Sequence, residues 1–268
     1  MALLRNFCFL FTILTIVVLT QGENSFWQNW RNFLKRFNKG QNNIEQNNNG
    51  QTNKGQNNNG LNNNEKNNNG QIDYCNVCGD HTMCRITNPK PVCNAKVSSL
   101  TPEQQSEIVN LHNEYRKKVA TGNEERGSPG PQPGAKNMPN MVWDNELATI
   151  AQRWANQCTF KHDSCRNTQQ YHVGQNIATS YSTGTKNDSL KQLIELWYNE
   201  VNQFNRNDVE RYVFSYHTGH YTQMVWAKST KIGCGYVDYM NGDRNTVLLV
   251  CNYGPAGNFQ GEKIYEIA

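Results

Sequence analysis

The stretch KIGCGYVDYM-NGDR-NTVLLVCNYG, Lys231–Gly254, decides how the folded part of this chain is built. Its two arms read as antiparallel strands joined by a turn. Taking Asn241–Arg244 as a four-residue hairpin loop pairs Met240 with Asn245. Counting outward then sets Cys234 opposite Cys251. Directly opposed residues hold their α-carbons about 4.5–5.5 Å apart, within reach of a disulfide. A two-residue Asn-Gly turn is the rival, and it would misalign the cysteines by two residues.

Upstream, TGHYTQMVW (Thr218–Trp226) reads as a further strand. His220, Thr222, Met224 and Trp226 then share one face, and Tyr221, Gln223 and Val225 the other. HVGQNIA, from His172, is a short strand. Three helices precede or interleave these strands. TPEQ at Thr101 is a capping box with Pro102 as first helical residue, and Ile108, Leu111, Tyr115 and Val119 mark its apolar face. Asp144 caps a second helix with Leu147, Ala151, Trp154, Ala155 and Cys158 on one face. A third carries Leu190, Leu193, Trp197, Val201 and Phe204. RGSPGPQPGAKNMPN, between the first two, is a Pro/Gly loop. This order predicts an α+β fold.

The first part of the chain reads differently. Residues 1–22 have the pattern of a secretory signal: Arg5, an apolar run, then small residues. The run is shorter than the roughly 20 apolar residues that a membrane span needs. Residues 23–40 form a basic amphipathic segment, with Trp27, Trp30, Phe33, Leu34 and Phe37 at helical spacing among Arg31, Lys35, Arg36 and Lys39. Such a segment contacts anionic membranes, or serves as a docking segment or a propeptide cut at Lys35-Arg36. Residues 41–73 are an Asn/Gly/Gln-rich linker in which NNNG recurs at Asn47, Asn57 and Asn67. With so little apolar surface to bury, that linker is expected to be disordered.

Secretion changes how the nine cysteines read. Cys8 leaves with the signal, and an even set remains for an oxidising compartment. The CNVC spacing of Cys75 and Cys78 also suits a zinc knuckle or redox pair, but disulfides are the favoured reading outside the cell. A net charge of +4 without a basic run gives no support to nucleic-acid binding. Asn187-Asp188-Ser189 is an N-glycosylation sequon.

GHYTQMVW at Gly219, CNYGPAGN at Cys251, GQNIA at Gly174, HNEYR at His112 and CTFKH at Cys158 together resemble the CAP superfamily: cysteine-rich secretory proteins, antigen 5 and plant pathogenesis-related class 1 proteins. PGPQPGAKNM and the four early cysteines look most like insect venom allergen 5. The resemblance covers 74–268, a cysteine-rich start (74–100) followed by the CAP domain (101–268). It implies a disulfide-stabilised three-layer α–β–α sandwich, a monomer, with bridges Cys75–Cys84, Cys78–Cys165, Cys93–Cys158 and Cys234–Cys251. The last agrees with the hairpin count.

The resemblance also implies a central cavity lined by two histidines, His162 and His220, and two acidic positions. Glu200 fills one acidic position and Gln175 stands at the other. A neutral amide is a poorer zinc ligand than a carboxylate and cannot act as a general base. Weak zinc binding is therefore expected, with no cofactor required. Neither HExxH nor GxSxG occurs, and no serine or cysteine is marked as a nucleophile. His112 lies outside the set and is expected to make a structural hydrogen bond. The expected function is a secreted, non-enzymatic effector or allergen of venom or saliva type, binding a host protein or a small lipid or sterol. The alternatives are a metal-dependent hydrolase using the His/Glu cavity, a polar cluster that merely ties strand to helix, and a membrane-active toxin acting through residues 23–40.

Overall fold

A computed structural model describes residues 72–184 and 188–268. The signal sequence, the amphipathic segment, the linker up to residue 71 and the sequon's Asn187 lie outside the described residues.

The cysteine-rich start forms two one-turn helices, α1 (Tyr74–Val77) and α2 (Thr82–Arg85), and then β1 (Ala95–Val97). There follow α3 (Pro102–Ala120), β2 (Val142–Trp143), α4 (Asn145–Ala155), β3 (Gly174–Ser182) and α5 (Leu190–Tyr198). The chain continues through 3-10 turns at Asn199–Gln203 and Arg206–Asp208, a short helix α6 (Gly219–Met224), and the hairpin of β4 (Lys231–Asn241) and β5 (Arg244–Gly254).

Helix starts follow local chemistry. Thr101 and Gln104 close the capping box of α3, Asp144 accepts from the Leu147 amide at α4, and Ser189 and Gln192 make a second box at α5. Each such cap contributes about 1 kcal/mol.

The strands lie in the order β1-β4-β5-β3, antiparallel, with β2 beside β4 in parallel. Alternation along each strand separates two apolar layers. Val237, Leu248, Val250 and Ile177 face α4, where Ala151 and Ala155 meet them. Val247, Leu249 and Cys251 face a larger core with Ile108 and Leu111 of α3, Leu193 and Trp197 of α5, and Tyr221 and Met224 of α6. The result is helix, sheet, helix: the three-layer sandwich. Each fully buried aliphatic chain contributes about 1.5–3 kcal/mol through removal from water.

The hairpin register is the expected one, with Met240 opposite Asn245 and Cys234 opposite Cys251, whose α-carbons are 4.1 Å apart. The loop is tighter than four residues. Asn241 pairs with Arg244, leaving only Gly242 and Asp243 outside the ladder. Gly242 supplies a φ of +64°, as the first position of a type II′ turn requires.

The larger correction concerns Thr218–Trp226. Gly219–Met224 is helical, so His220 and Thr222 do not share a strand face. Tyr221, Thr222, Gln223 and Met224 are all buried. With four successive residues buried, the helix shows no amphipathic period, and its β-branched and aromatic residues imitate a strand. Gly219 is the first residue of the helix, and a methyl there would meet the Phe214 ring at 3.6 Å and Asn258 Nδ2 at 4.0 Å, both ordinary contacts.

Candidate functional site

Helix α6 starts without help from its own N-cap, since the Thr218 side chain makes no capping bond. The carboxylate of Glu200, in the 3-10 turn after α5, does that work from a distance. Its Oε2 accepts from the backbone amides of His220 (2.8 Å) and Tyr221 (3.1 Å). Its Oε1 accepts from His220 Nδ1 at 2.6 Å. A carboxylate at a helix N-terminus is favoured by the orphan amides and the helix dipole alike. Because this oxygen is an acceptor, the neutral His220 ring carries its proton on Nδ1 and its lone pair on Nε2. The Trp197 ring lies against the imidazole at 6.2 Å between centroids, and the Asn176 amide donates to the His220 carbonyl at 3.1 Å.

His162 comes from the loop that leaves α4. Two bridges bracket that loop, Cys93–Cys158 before His162 and Cys78–Cys165 after it. Buried Asp163 pins it further through Thr82 and Arg166. His162 itself is exposed, with Nδ1 2.7 Å from Gln175 Oε1. The protein wall around the ring lowers its pKa, the charges of Arg166 and of His220 add to this, and Gln175 and Asp163 oppose it. The amide nitrogen of Gln175 donates to Asn252 Oδ1 at 3.0 Å.

Gln175 and Asn176 are successive residues of edge strand β3, so they point to opposite faces of the sheet. One reaches His162 on the α4 side, and the other reaches His220 on the α5–α6 side. The two histidines therefore flank that edge within electrostatic range of each other. Among the described residues neither Nε2 has a hydrogen-bond partner, and no group of three or more His, Cys, Asp or Glu is placed to hold a metal. A neutral imidazole Nε2 free of protein partners is the kind of nitrogen that zinc takes as a ligand.

The structure brings His162 to Gln175 and His220 to Glu200, and it pairs the eight cysteines as Cys75–Cys84, Cys78–Cys165, Cys93–Cys158 and Cys234–Cys251. His112 bonds Ile108 and Tyr253 away from the pair. Asn252 and Asn176 were not singled out from the sequence. Their parts depend on the β3–β5 pairing, which joins strands far apart in the chain.

Residues 109–253 match the family model for the cysteine-rich secretory protein family, CAP. The chain is 50% identical over 201 residues to venom allergen 5 of Dolichovespula arenaria, covering 72% of this chain and 98% of that protein. It is 51% identical over 199 residues to venom allergen 3 of Solenopsis invicta, covering 70% and 83%. Among solved structures, NaASP2 with Zn2+ is similar at 33% identity and a TM-score of 0.55, covering 66% of this chain and 90% of that one. BmVAL-1 is similar at 34% and 0.56, covering 63% and 84%.

Proposed function

This chain belongs to the cysteine-rich secretory protein (CAP) family and is venom allergen 5-like, and on that premise we propose that it is a secreted, non-enzymatic binding protein whose His162–His220 cleft takes a divalent cation such as zinc. Secretion is supported by the signal pattern at 1–22, the four bridges and the venom proteins it is similar to. The observation that carries the non-enzymatic reading is the placement of Glu200. Both its oxygens are taken up by three donors, two of them backbone amides of α6. A general base must be free to accept a substrate proton, which Glu200 is not; Gln175 cannot be one, and the two imidazole Nε2 lone pairs that remain are those given to the cation.

His162 and His220 would hold the cation through Nε2, and Glu200 and Gln175 would orient the rings from behind. A bound ion would tie the loop after α4 to helix α6 and cross-link two layers of the sandwich. A host-facing or lipid-facing role has its own support. Phe214 and Tyr216 pack edge to face at 4.9 Å and remain exposed, beside exposed Val213 and Phe259. That apolar patch adjoins α6 and suits a sterol, a lipid or an apolar host surface.

Calorimetric titration of the mature protein with zinc tests the cleft. His162→Ala and His220→Ala should each lose binding while the four bridges stay closed. Undiminished binding in either variant would place the metal elsewhere. Ester or peptide hydrolysis that disappears in Glu200→Gln would overturn the non-enzymatic reading. Sterol binding, measured on the same samples, should survive both histidine changes, because the patch is made of Val213, Phe214, Tyr216 and Phe259 and of neither imidazole.

A further inference from the structure

On β3, β5 and β4, residues Gln175, Asn252 and Gly233 stand directly opposite one another and form one rung across the sheet. The rung faces α4. Gly233 has no side chain there, and a methyl would collide with the Ala148 amide and the Asp144 carbonyl. The first turn of α4 therefore lies close to the strand. Asn252, fully buried, reaches its backbone and donates from Nδ2 to the Leu147 carbonyl at 3.3 Å.

A backbone carbonyl can only accept. Asn252 must turn its NH2 toward Leu147, which leaves Oδ1 facing Gln175. Gln175 must then present its own NH2 to Asn252, at 3.0 Å, and its Oε1 to His162, at 2.7 Å. His162 has to meet that oxygen with a proton on Nδ1. We infer that Asn252 and Gln175 form an amide relay, anchored on the Leu147 carbonyl, that fixes His162 as the Nδ1–H tautomer and leaves its Nε2 lone pair for a ligand. His220 arrives at the same tautomer through Glu200 and shares no partner with the relay. Asn252 is thus a positioning residue two hydrogen bonds removed from His162. An amide thus serves where a carboxylate would be expected. Gln175 supplies the acceptor for His162 and also the donor for Asn252. A glutamate in its place would set one oxygen against Asn252 Oδ1 and force Asn252 to give up Leu147.

This rests on the reading of the cleft as a two-nitrogen cation site, yet the relay can be read without metal. Protein labelled with 15N in histidine, metal-free and at about pH 8, above the ordinary imidazole range, gives the tautomer of each ring from its nitrogen shifts. His162 and His220 should both be Nδ1–H. In Gln175→Met and in Asn252→Leu, His162 should move toward the Nε2–H form while His220 stays. Zinc affinity should fall roughly tenfold, as for loss of a partner behind a ligand. Asn252 is buried, so the surface-side Gln175→Met keeps the test open if Asn252→Leu does not fold. An Nε2–H His162 in the parent would overturn the relay, as would an unchanged tautomer in Gln175→Met. If the tautomers behave as stated but the parent binds no zinc, the relay stands and the cation-site reading falls.

Discussion

His112 is sealed in the core, where its Nδ1 proton goes to the Ile108 carbonyl at 2.8 Å and its Nε2 accepts from the Tyr253 hydroxyl at 2.9 Å. Burial pushes its pKa down to about 4, against the Ile108 bond and with help from the nearby Arg116 charge. An imidazolium would have to place a proton between Nε2 and the Tyr253 hydroxyl. The unfolded chain takes up that proton near pH 6.5 and the native protein does not until about 4, so the unfolded state binds more protons between those values. Stability is full above about 6.5 and falls by about 1.4 kcal/mol per pH unit toward 4, about 3 kcal/mol in all. The midpoint of urea unfolding, followed from pH 7.5 to about 4, should drop accordingly. His112→Gln, which cannot protonate, should be less stable at neutral pH but show a shallower decline. Equal slopes in parent and variant would mean that His112 is not the titrating group.

At the level of elements, α4 packs close against β4. Gly233 and Gly235 sit on the α4 face of the strand, with Cys234 between them facing the other layer. A methyl at Gly235 would run into the backbone of Gln152 and Ala151, which cannot retreat without lifting the helix off the sheet. Gly235→Ala should therefore cost about 3 kcal/mol or more, the upper range for overpacking. Gly79→Ala, where nothing lies within 4 Å, should stay within about 0.5 kcal/mol. Comparable losses for the two in chemical denaturation would refute the packing account. Elements whose signals are local were legible in the sequence: both α3 and α4 begin at the residues their caps predict, and the hairpin sets its own register through adjacent strands. Helix α6 was not legible, because its start is held by Glu200, some twenty residues earlier, and the burial of four successive residues erases its period. The site divides likewise. His162, Gln175, Glu200 and His220 came from motif resemblance, whereas which of them bond, and through which atoms, needed the β3–β5 register.

For the molecule as a whole, the four bridges differ in what they hold and in how well they are protected. Cys234 and Cys251 are buried inside the sandwich, so a reductant reaches them only when the core opens. Cys75 is exposed, and its bridge to Cys84 closes a sequence separation of only 9. Cys78–Cys165 spans 87 and fastens the cysteine-rich start to the loop that presents His162. By the chain-entropy relation the short bridge contributes about 2.5 kcal/mol and the long one about 4–5. Mild reduction with alkylation, read by peptide mass spectrometry, should label Cys75 and Cys84 first while the domain stays folded. Cys78 and Cys165 should follow, with a larger fall in stability, and labelling of Cys234 and Cys251 should coincide with global unfolding. Between the second and third steps the protein should keep its sheet but lose the fixed position of His162, so zinc affinity should fall before the unfolding transition. Alkylation of Cys234 or Cys251 ahead of Cys75 would show that the hairpin layer, not the cysteine-rich start, is the part that opens first.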